Sequence, residues 1–452
     1  MWNDPGRDFL PLLKSSSTAI YCSMLWLDAG SPVNSALKAL GSLPKTTPWR
    51  IHISTGGHGT PSNTREEVRK RDLQTAWLLR FLKGAKDPVE FGPRVFSGVL
   101  PSDPAAYLSR STIWRTRADT AFPPASAKTS VWYLRQGAGL STTSPAGSEP
   151  ADRITHKVPA GYTARSWLRD GSGSCLGLVF LRMPLSNQTY TTPPFSKDVE
   201  IAGFPTLILE VAPLSNRFYL AARLEVLTTS GSQVLSVGGE GVRQSGAPKR
   251  TTMRIEMSGI DAVIPRGARL KLSVRNHHLV QPGSRQSIKF MPYLSSYQVD
   301  LEHNSSRMSR ILLPFRPQVG IDLTSPTTGL SLSNPARVGF QLRSSSVHSG
   351  RPYLVLAGFS GQGPALSLPG GDMLYLRPDA GTQLFLGILG TSLVPNFLGL
   401  LDASGGAAPA LDLRALAPLP PRLLGRSMDL STIEFAGALV RASAPVRLSF
   451  DK

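Results

Sequence analysis

Asp28 and His58 have the placement that proton-transfer chemistry needs. Asp28 follows an apolar run of strand length, Ala19-Ile20-Tyr21-Cys22-Ser23-Met24-Leu25-Trp26. His58 lies in a glycine-rich loop, Ser54-Thr55-Gly56-Gly57-His58-Gly59-Thr60, that opens after the strand-like Trp49-Arg50-Ile51-His52-Ile53. The stretch between Asp28 and His58 is about what one helix and one strand require. A carboxylate and an imidazole meeting at two neighbouring strand ends could be the last two members of an acyl-transfer triad. The carboxylate would hold the imidazole tautomer and stabilise its charged form. The plainer reading of the same residues is a helix-capping Asp28 and an ordinary loop histidine. A full triad also needs a nucleophile, and no Gly-x-Ser-x-Gly turn occurs between Met1 and Lys452. Gly358-Phe359-Ser360-Gly361-Gln362 lacks the final glycine, and Gly171-Ser172-Gly173-Ser174-Cys175 puts serine at the wrong place.

Other reactive side chains form no comparable pattern. His277-His278 has no carboxylate or third histidine close in sequence, and His303 and His348 are unassigned. Cys22 and Cys175 lie far apart without metal-ligand spacing and read as small core residues. Trp114, Trp132 and Tyr133 could line an acyl or prolyl pocket but fit core positions better.

The elements that must position Asp28 and His58 are legible. Residues 1–90 read as α/β, with helices over Val33–Leu40 and from near Thr64 to Lys83, the latter stopped by Gly84. Thr64 and Glu67 fit a capping box, and Leu73, Trp77, Leu78 and Phe81 recur on one helical face. From residue 91 the texture turns to strands and turns, with β-like segments at Thr206–Val211, Phe218–Leu227, Met253–Met257 and Arg269–Val274. Their spacing suits a jelly-roll β-sandwich over 91–318. A compact C-terminal β domain over 319–452 follows, and helix is expected only at the front. The uncharged stretch Leu384–Leu401 contains Gly387, Gly390, Pro395 and Gly399, which fit two short buried strands better than a membrane-spanning helix. The expected fold is therefore mainly β with an α/β N-terminal part. The formal charge of +19 is concentrated in 91–318 as singly scattered arginines, not a stripe with interleaved aromatics, so nucleic acid and membrane are not expected partners.

Larger motifs sharpen this. Trp2-Asn3-Asp4-Pro5, Leu25-Trp26-Leu27-Asp28, Gly57-His58-Gly59 and the helix bearing Gln74, Trp77 and Phe81 resemble, in order and spacing, the cocaine-esterase / X-prolyl dipeptidyl-peptidase family of α/β-hydrolases. Phe122-Pro123-Pro124, Val131-Trp132-Tyr133-Leu134, Ile201-Ala202-Gly203-Phe204-Pro205 and Ile264-Pro265-Arg266-Gly267 resemble later landmarks of that family. The resemblance covers about residues 1–315 and implies a partial α/β-hydrolase sheet, Asp28 as triad aspartate and His58 as triad histidine. Leu25 and Leu27 depart from the family's Gly-Trp-Tyr-Asp turn, and Ser54-Thr55-Gly56 replaces the Gly-Pro-Trp of its histidine loop. It further implies a serine hydrolase of ester or amide bonds acting on a small ester or peptide, without a cofactor. In that family the serine lies upstream of the aspartate, so this chain is expected to be a fragment that lacks its nucleophile and is inactive alone. The rival reading is a non-catalytic β-sandwich binding or structural protein carrying a degenerate hydrolase remnant. Self-association is left open, and the C-terminal β domain favours export.

Overall fold

The computed structural model describes residues 15, 17–27, 33–57, 64–85, 93–102, 115–158, 160, 184–277, 295–316, 321–327, 329–344, 348–361, 366–369, 373–436 and 439–451. The chain is mainly β, as its texture implies, with an α/β front. That front runs β1 (Ile20–Leu27), α1 (Val33–Gly41), β2 (Trp49–Gly57), α2 (Thr64–Lys83), β3 (Val95–Val99) and β4 (Arg115–Asp119). The four strands form one sheet in sequence order; β1, β2 and β3 are parallel, and β4 is antiparallel to β3. The sheet that begins at β1 thus continues well past residue 90.

Each element follows from its residues. In α1, Val33, Leu37 and Leu40 recur at helical spacing and are the positions buried against the sheet. α2 carries Glu66 and Glu67 in its first turn and Arg80 and Lys83 in its last, which suits the helix dipole at both ends. Gly84 follows in the left-handed region (φ +68°), where a side chain would be strained. Leu73 and Trp77 of α2 are buried, but Leu78 and Phe81 are 45% and 37% exposed, so the apolar face is narrower than its spacing implies. The helix packs on β1. β2 is covered on both faces, and polar side chains alternate with Ile51 and Ile53 along it. Its Arg50 is buried with the guanidinium carbon 5.5 Å from the ring centroids of both Trp77 and Phe96, and its Nε donates to the Pro93 carbonyl.

The β-sandwich comprises β5 (Lys128–Arg135), β6 (Gly139–Ser141), β7 (Asp152–His156), β8 (Asn187–Thr191), β9 (Val199–Gly203), β10 (Thr206–Pro213), β11 (Arg217–Thr228), β12 (Gly231–Arg243), β13 (Thr251–Glu256), β14 (Ile260–Ile264), β15 (Arg269–Arg275), β16 (Tyr297–Leu301) and β17 (Arg310–Arg316). Leu207, Leu209 and Val211 of β10 and Met253 and Ile255 of β13 alternate inward, the signature of strands with one face on a core. The core is continuous with that of the front: Trp26, Ile51 and Val95 belong to the same buried cluster as Ile201, Leu209 and Leu272. A separate core fills the C-terminal part, built on β18 (Asp322–Thr324), β19 (Gly329–Ser331), β20 (Pro352–Gly358), α3 (Ala380–Gly387), β21 (Leu398–Leu400), β22 (Ser427–Ala436), β23 (Leu439–Ala442) and β24 (Val446–Asp451).

Two expectations for this last region are corrected. The stretch Leu384–Leu401 is not two strands, since its first part belongs to α3 and only its end forms β21. The helix is started by a capping box that composition hides: the Asp379 carboxylate accepts from the Thr382 amide, and the Thr382 hydroxyl accepts from the Asp379 amide. Helix is therefore not confined to the front. No helix among the described residues is long and apolar enough to cross a membrane.

Candidate active site at the ends of β1 and β2

β1 and β2 pair in register from Ile20↔Trp49 to Leu25↔Ser54, and again at Leu27↔Gly57. Between those last two pairs β2 advances one residue more than β1, a bulge at Thr55-Gly56. Asp28 and His58 lie outside the described residues. Each is the next residue in the chain after a member of the pair Leu27↔Gly57, so the carboxyl ends they follow are neighbours in the sheet.

The bulge is gripped by a residue that spacing alone does not single out. Glu66, fully buried in the first turn of α2, accepts the Thr55 amide at 3.1 Å on both carboxylate oxygens and the Thr55 hydroxyl at 2.7 Å. It sits where β2 and β3 part: their pairing ends at Ile53↔Ser97, and Gly98 comes next. A Cβ at Gly98 would overlap Glu66 Oε1 and lie 2.9 Å from Thr55 Cγ2, so only glycine leaves room for the carboxylate. The neighbouring Glu67 pairs with Lys70 at 2.5 Å.

Burial pushes the Glu66 carboxyl up to about 7, the two Thr55 hydrogen bonds opposing that shift. With its folded value above the ordinary 4.5, Glu66 stabilises the fold fully below that value, and the contribution is lost as pH rises through about 7. Glu66→Gln should therefore gain on the wild-type chain between about pH 5 and 8. Urea midpoints of both proteins across that range check this, and parallel midpoints would refute it.

On the sandwich side the end of β3 is tied down by hydrogen bonds. Ser97 donates its hydroxyl to Asp261 Oδ2 at 2.7 Å, and the Leu100 amide donates to the Asp261 carbonyl at 2.7 Å. Behind them lies a buried ionic hub in which Arg117 grips Glu200 through two nitrogens and also meets Asp322 of the C-terminal part. Arg316 joins Glu200 at 2.7 Å and Asp119 at 2.6 Å. Burial first and Glu200 second raise the Asp261 carboxyl above its ordinary value. The end of α1 docks on the same sandwich edge: Asn34 donates to the Met257 carbonyl at 2.9 Å and accepts the Gly259 amide at 2.7 Å.

Residues 97–278 match the X-Pro dipeptidyl-peptidase C-terminal non-catalytic domain. The match runs from the end of β3 through β4 and the sandwich strands β5 to β15. The resemblance to the cocaine-esterase / X-prolyl dipeptidyl-peptidase family drawn from the sequence therefore holds. No curated protein is significantly similar to this chain. Among solved structures, a CocE/NonD family hydrolase from Staphylococcus aureus is similar at 13% identity and a TM-score of 0.49, over 66% of this chain and 54% of that one. An aminopeptidase from a marine sediment Thaumarchaeota archaeon is similar at 14% identity and a TM-score of 0.48, over 68% and 57% respectively. An α-amino acid ester hydrolase gives 14%, 0.42, 59% and 50%. This chain thus spans about half the length of each, and likenesses so distant carry no functional argument.

The β-sandwich region holds one further histidine constellation. His303 is buried, with Nε2 2.9 Å from Asp152 Oδ2, the oxygen that also accepts the Tyr190 hydroxyl at 2.7 Å. A second constellation, in the C-terminal part, brings Ser344, His348 and Glu434 together in the buried interior. It is not a triad, because Ser344 Oγ (2.7 Å), Arg441 Nη1 (2.6 Å) and Glu434 (3.3 Å) all crowd the same ring atom, Nδ1. A triad uses the two ring nitrogens for two different partners. Burial and then Arg441 lower the His348 pKa, so the ring is a neutral acceptor. Trp132 packs against the main core, stacking edge-on with Phe195 at 6.1 Å, which is the core role its type favours. Cys22 is half-buried and unpaired by disulfide, while Trp114, Cys175 and His278 lie outside the described residues.

Proposed function

We propose that this chain is the rear part of a serine hydrolase of ester or amide bonds, of the X-prolyl dipeptidyl-peptidase or acyl-esterase kind. His58 is the general base and acid, and Asp28 is the carboxylate that orients it. The nucleophilic serine and its oxyanion donors come from outside residues 1–452, which contain no Gly-x-Ser-x-Gly turn and leave the chain without covalent turnover by itself. The observation that carries the reading is the pair Leu27↔Gly57: adjacent parallel strands end together, one residue before the carboxylate and one before the imidazole. Ligands and catalytic groups of α/β sheets gather at such carboxyl ends.

The non-catalytic description of the matched domain favours a second reading, a binding or structural sandwich with a degenerate hydrolase remnant. One experiment separates the two. In the full chain, the His58 imidazole, assigned by its disappearance in His58→Gln, is titrated by NMR with and without Asp28→Asn. Removing an adjacent carboxylate charge should lower the His58 pKa by about one unit or more. An unchanged titration favours the remnant. Labelling of this chain by a fluorophosphonate would overturn the external placement of the nucleophile.

A further inference from the structure

We propose that the outer face of β11 and β15 is a binding site for a dianionic phosphoryl group, with Arg275, Ser273 and Arg223 as its donors. The site lies in the sandwich and does not depend on the reading of Asp28 and His58. Strand alternation builds it. Leu220, Ala222, Leu224 and Val226 of β11 and Leu270, Leu272 and Val274 of β15 enter the core, so Arg223, Glu225, Lys271, Ser273 and Arg275 lie together on the other face. The register sets Arg223 opposite Ser273 and Glu225 opposite Lys271. Arg275 stands opposite Ala221, whose methyl gives the guanidinium nothing polar to meet.

This face is polar yet withdrawn from water. Arg223 and Arg275 are 5% and 9% exposed, and Ser273 is fully buried. Glu225 is the carboxylate within the group, and its oxygens are already taken. Oε1 accepts from Arg223 Nη2 at 2.9 Å and from the Ser232 hydroxyl at 2.8 Å, while Oε2 meets Lys271 Nζ at 2.9 Å. Arg275 is left over: its Nε, like the Ser273 hydroxyl, is buried with no hydrogen-bond partner. Burial and then the Arg223 guanidinium lower the Arg275 pKa, with Glu225 opposing them. A guanidinium keeps its proton all the same, and a buried cation beside a second one is costly until an anion joins them. Three cations against one carboxylate match a dianion, such as hydrogen phosphate or a phosphate monoester, better than a single carboxylate. Planar guanidinium forks also suit phosphate oxygens, and a serine hydroxyl adds a donor between them. The approach runs over β8, where Thr189, paired with Ser273, is half-buried and Asn187, paired with Arg275, is exposed.

The test is the binding of inorganic phosphate to the full chain at about pH 8, where phosphate is the dianion. Isothermal titration calorimetry and the urea midpoint are read at constant ionic strength. Phosphate should bind saturably and raise the midpoint of the wild-type chain, whereas acetate should do neither. Arg275→Met should weaken phosphate binding about tenfold or more. Without phosphate the same variant should be at least as stable as wild type, because it deletes a buried charge that lacks a partner. Ser273→Ala, which removes only a hydroxyl, should weaken binding several-fold and leave the fold intact. Methyl phosphate that competes with phosphate assigns the site to monoesters, and methyl phosphate that does not assigns it to the free ion; either supports the proposal. Absence of saturable phosphate binding, an equal response to acetate, or unchanged binding in either variant would overturn it. So would marked destabilisation of phosphate-free Arg275→Met, which would make Arg275 a structural side chain.

Discussion

Arg117→Met should destabilise the chain by about 3–5 kcal/mol, because it removes the cation that Glu200 and Asp322 share in a buried site. Arg117 is 5% exposed; its Nε and Nη2 meet Glu200 at 3.0 Å and 2.7 Å, and its Nη1 meets Asp322 and the Thr116 carbonyl. Glu200, Asp119 and Asp261 keep Arg316, but Asp322 loses the cation that faces it. The sign with pH follows from the same geometry. Carboxylates left in a desolvated site without their cation have raised pKa values and can relieve the penalty only by binding protons. The deficit of Arg117→Met should therefore be larger at pH 8 than at pH 5. Arg117→Lys should recover only part of it, since an ammonium cannot make the two-nitrogen grip on Glu200 and reach Asp322 at once. Urea unfolding followed by tryptophan fluorescence and circular dichroism at both pH values checks this. As a control, Arg153 pairs with Asp300 at 2.6 Å on the surface, and its removal should change little. A comparably small effect at Arg117 would mean that the hub is solvated.

That hub marks the limit of what the sequence discloses. The mainly β fold, the α/β front, both front helices and the sandwich strands were legible because each is written in a local period: alternating Leu207, Leu209 and Val211, or helical Val33, Leu37 and Leu40. The resemblance was legible because short motifs such as Ile201-Ala202-Gly203 occur in order, and the domain match over 97–278 takes in those of the sandwich. The hub was not, since Arg117, Glu200, Asp261, Arg316 and Asp322 come from five separate elements and no local pattern joins them. The same is true of the fork at β2 and β3. Glu66 and Glu67 are adjacent acids at a helix start, and spacing favours Glu67 as the cap; only the tertiary position of Thr55 and Gly98 makes Glu66 the buried one. α3 was hidden for another reason. Its glycine at each end and uncharged body read as turns, while the deciding signal was the pair Asp379 and Thr382 three residues apart.

Trp26→Ala should cost about 3–5 kcal/mol, the range for deleting a large buried aromatic, and the contrast with Trp26→Phe shows which part of the side chain matters. Trp26 is 1% exposed, and its indole N–H reaches over β2 to donate to the Gly98 carbonyl at 2.7 Å. Its ring lies 5.1 Å from that of Phe122, which in turn meets Phe204 edge-on at 5.5 Å. Opposite stands Gly259, where a Cβ would come within 3.0 Å of Trp26 Cζ3 and 2.9 Å of Phe204, so the sandwich turn is shaped to receive both rings. One side chain therefore joins the end of β1 to the end of β3 and both to the sandwich. Trp26→Phe keeps most of the ring contact and loses the N–H, leaving the Gly98 carbonyl short of a donor at about 1–3 kcal/mol. The expected order is thus wild type, then Trp26→Phe, then Trp26→Ala, measured by urea unfolding of the full chain. Equal losses for the two variants would place the stabilisation in the hydrogen bond and not in the packing. A negligible loss for both would mean that the sheet and the sandwich do not lean on each other through this residue. Since Gly98 also makes room for Glu66, the same strand end holds Trp26 through its carbonyl and the Thr55 clamp through its missing side chain. Damage from Trp26→Ala should accordingly spread to the β2 bulge, and faster hydrogen exchange of the Thr55 amide in that variant is the corresponding signal.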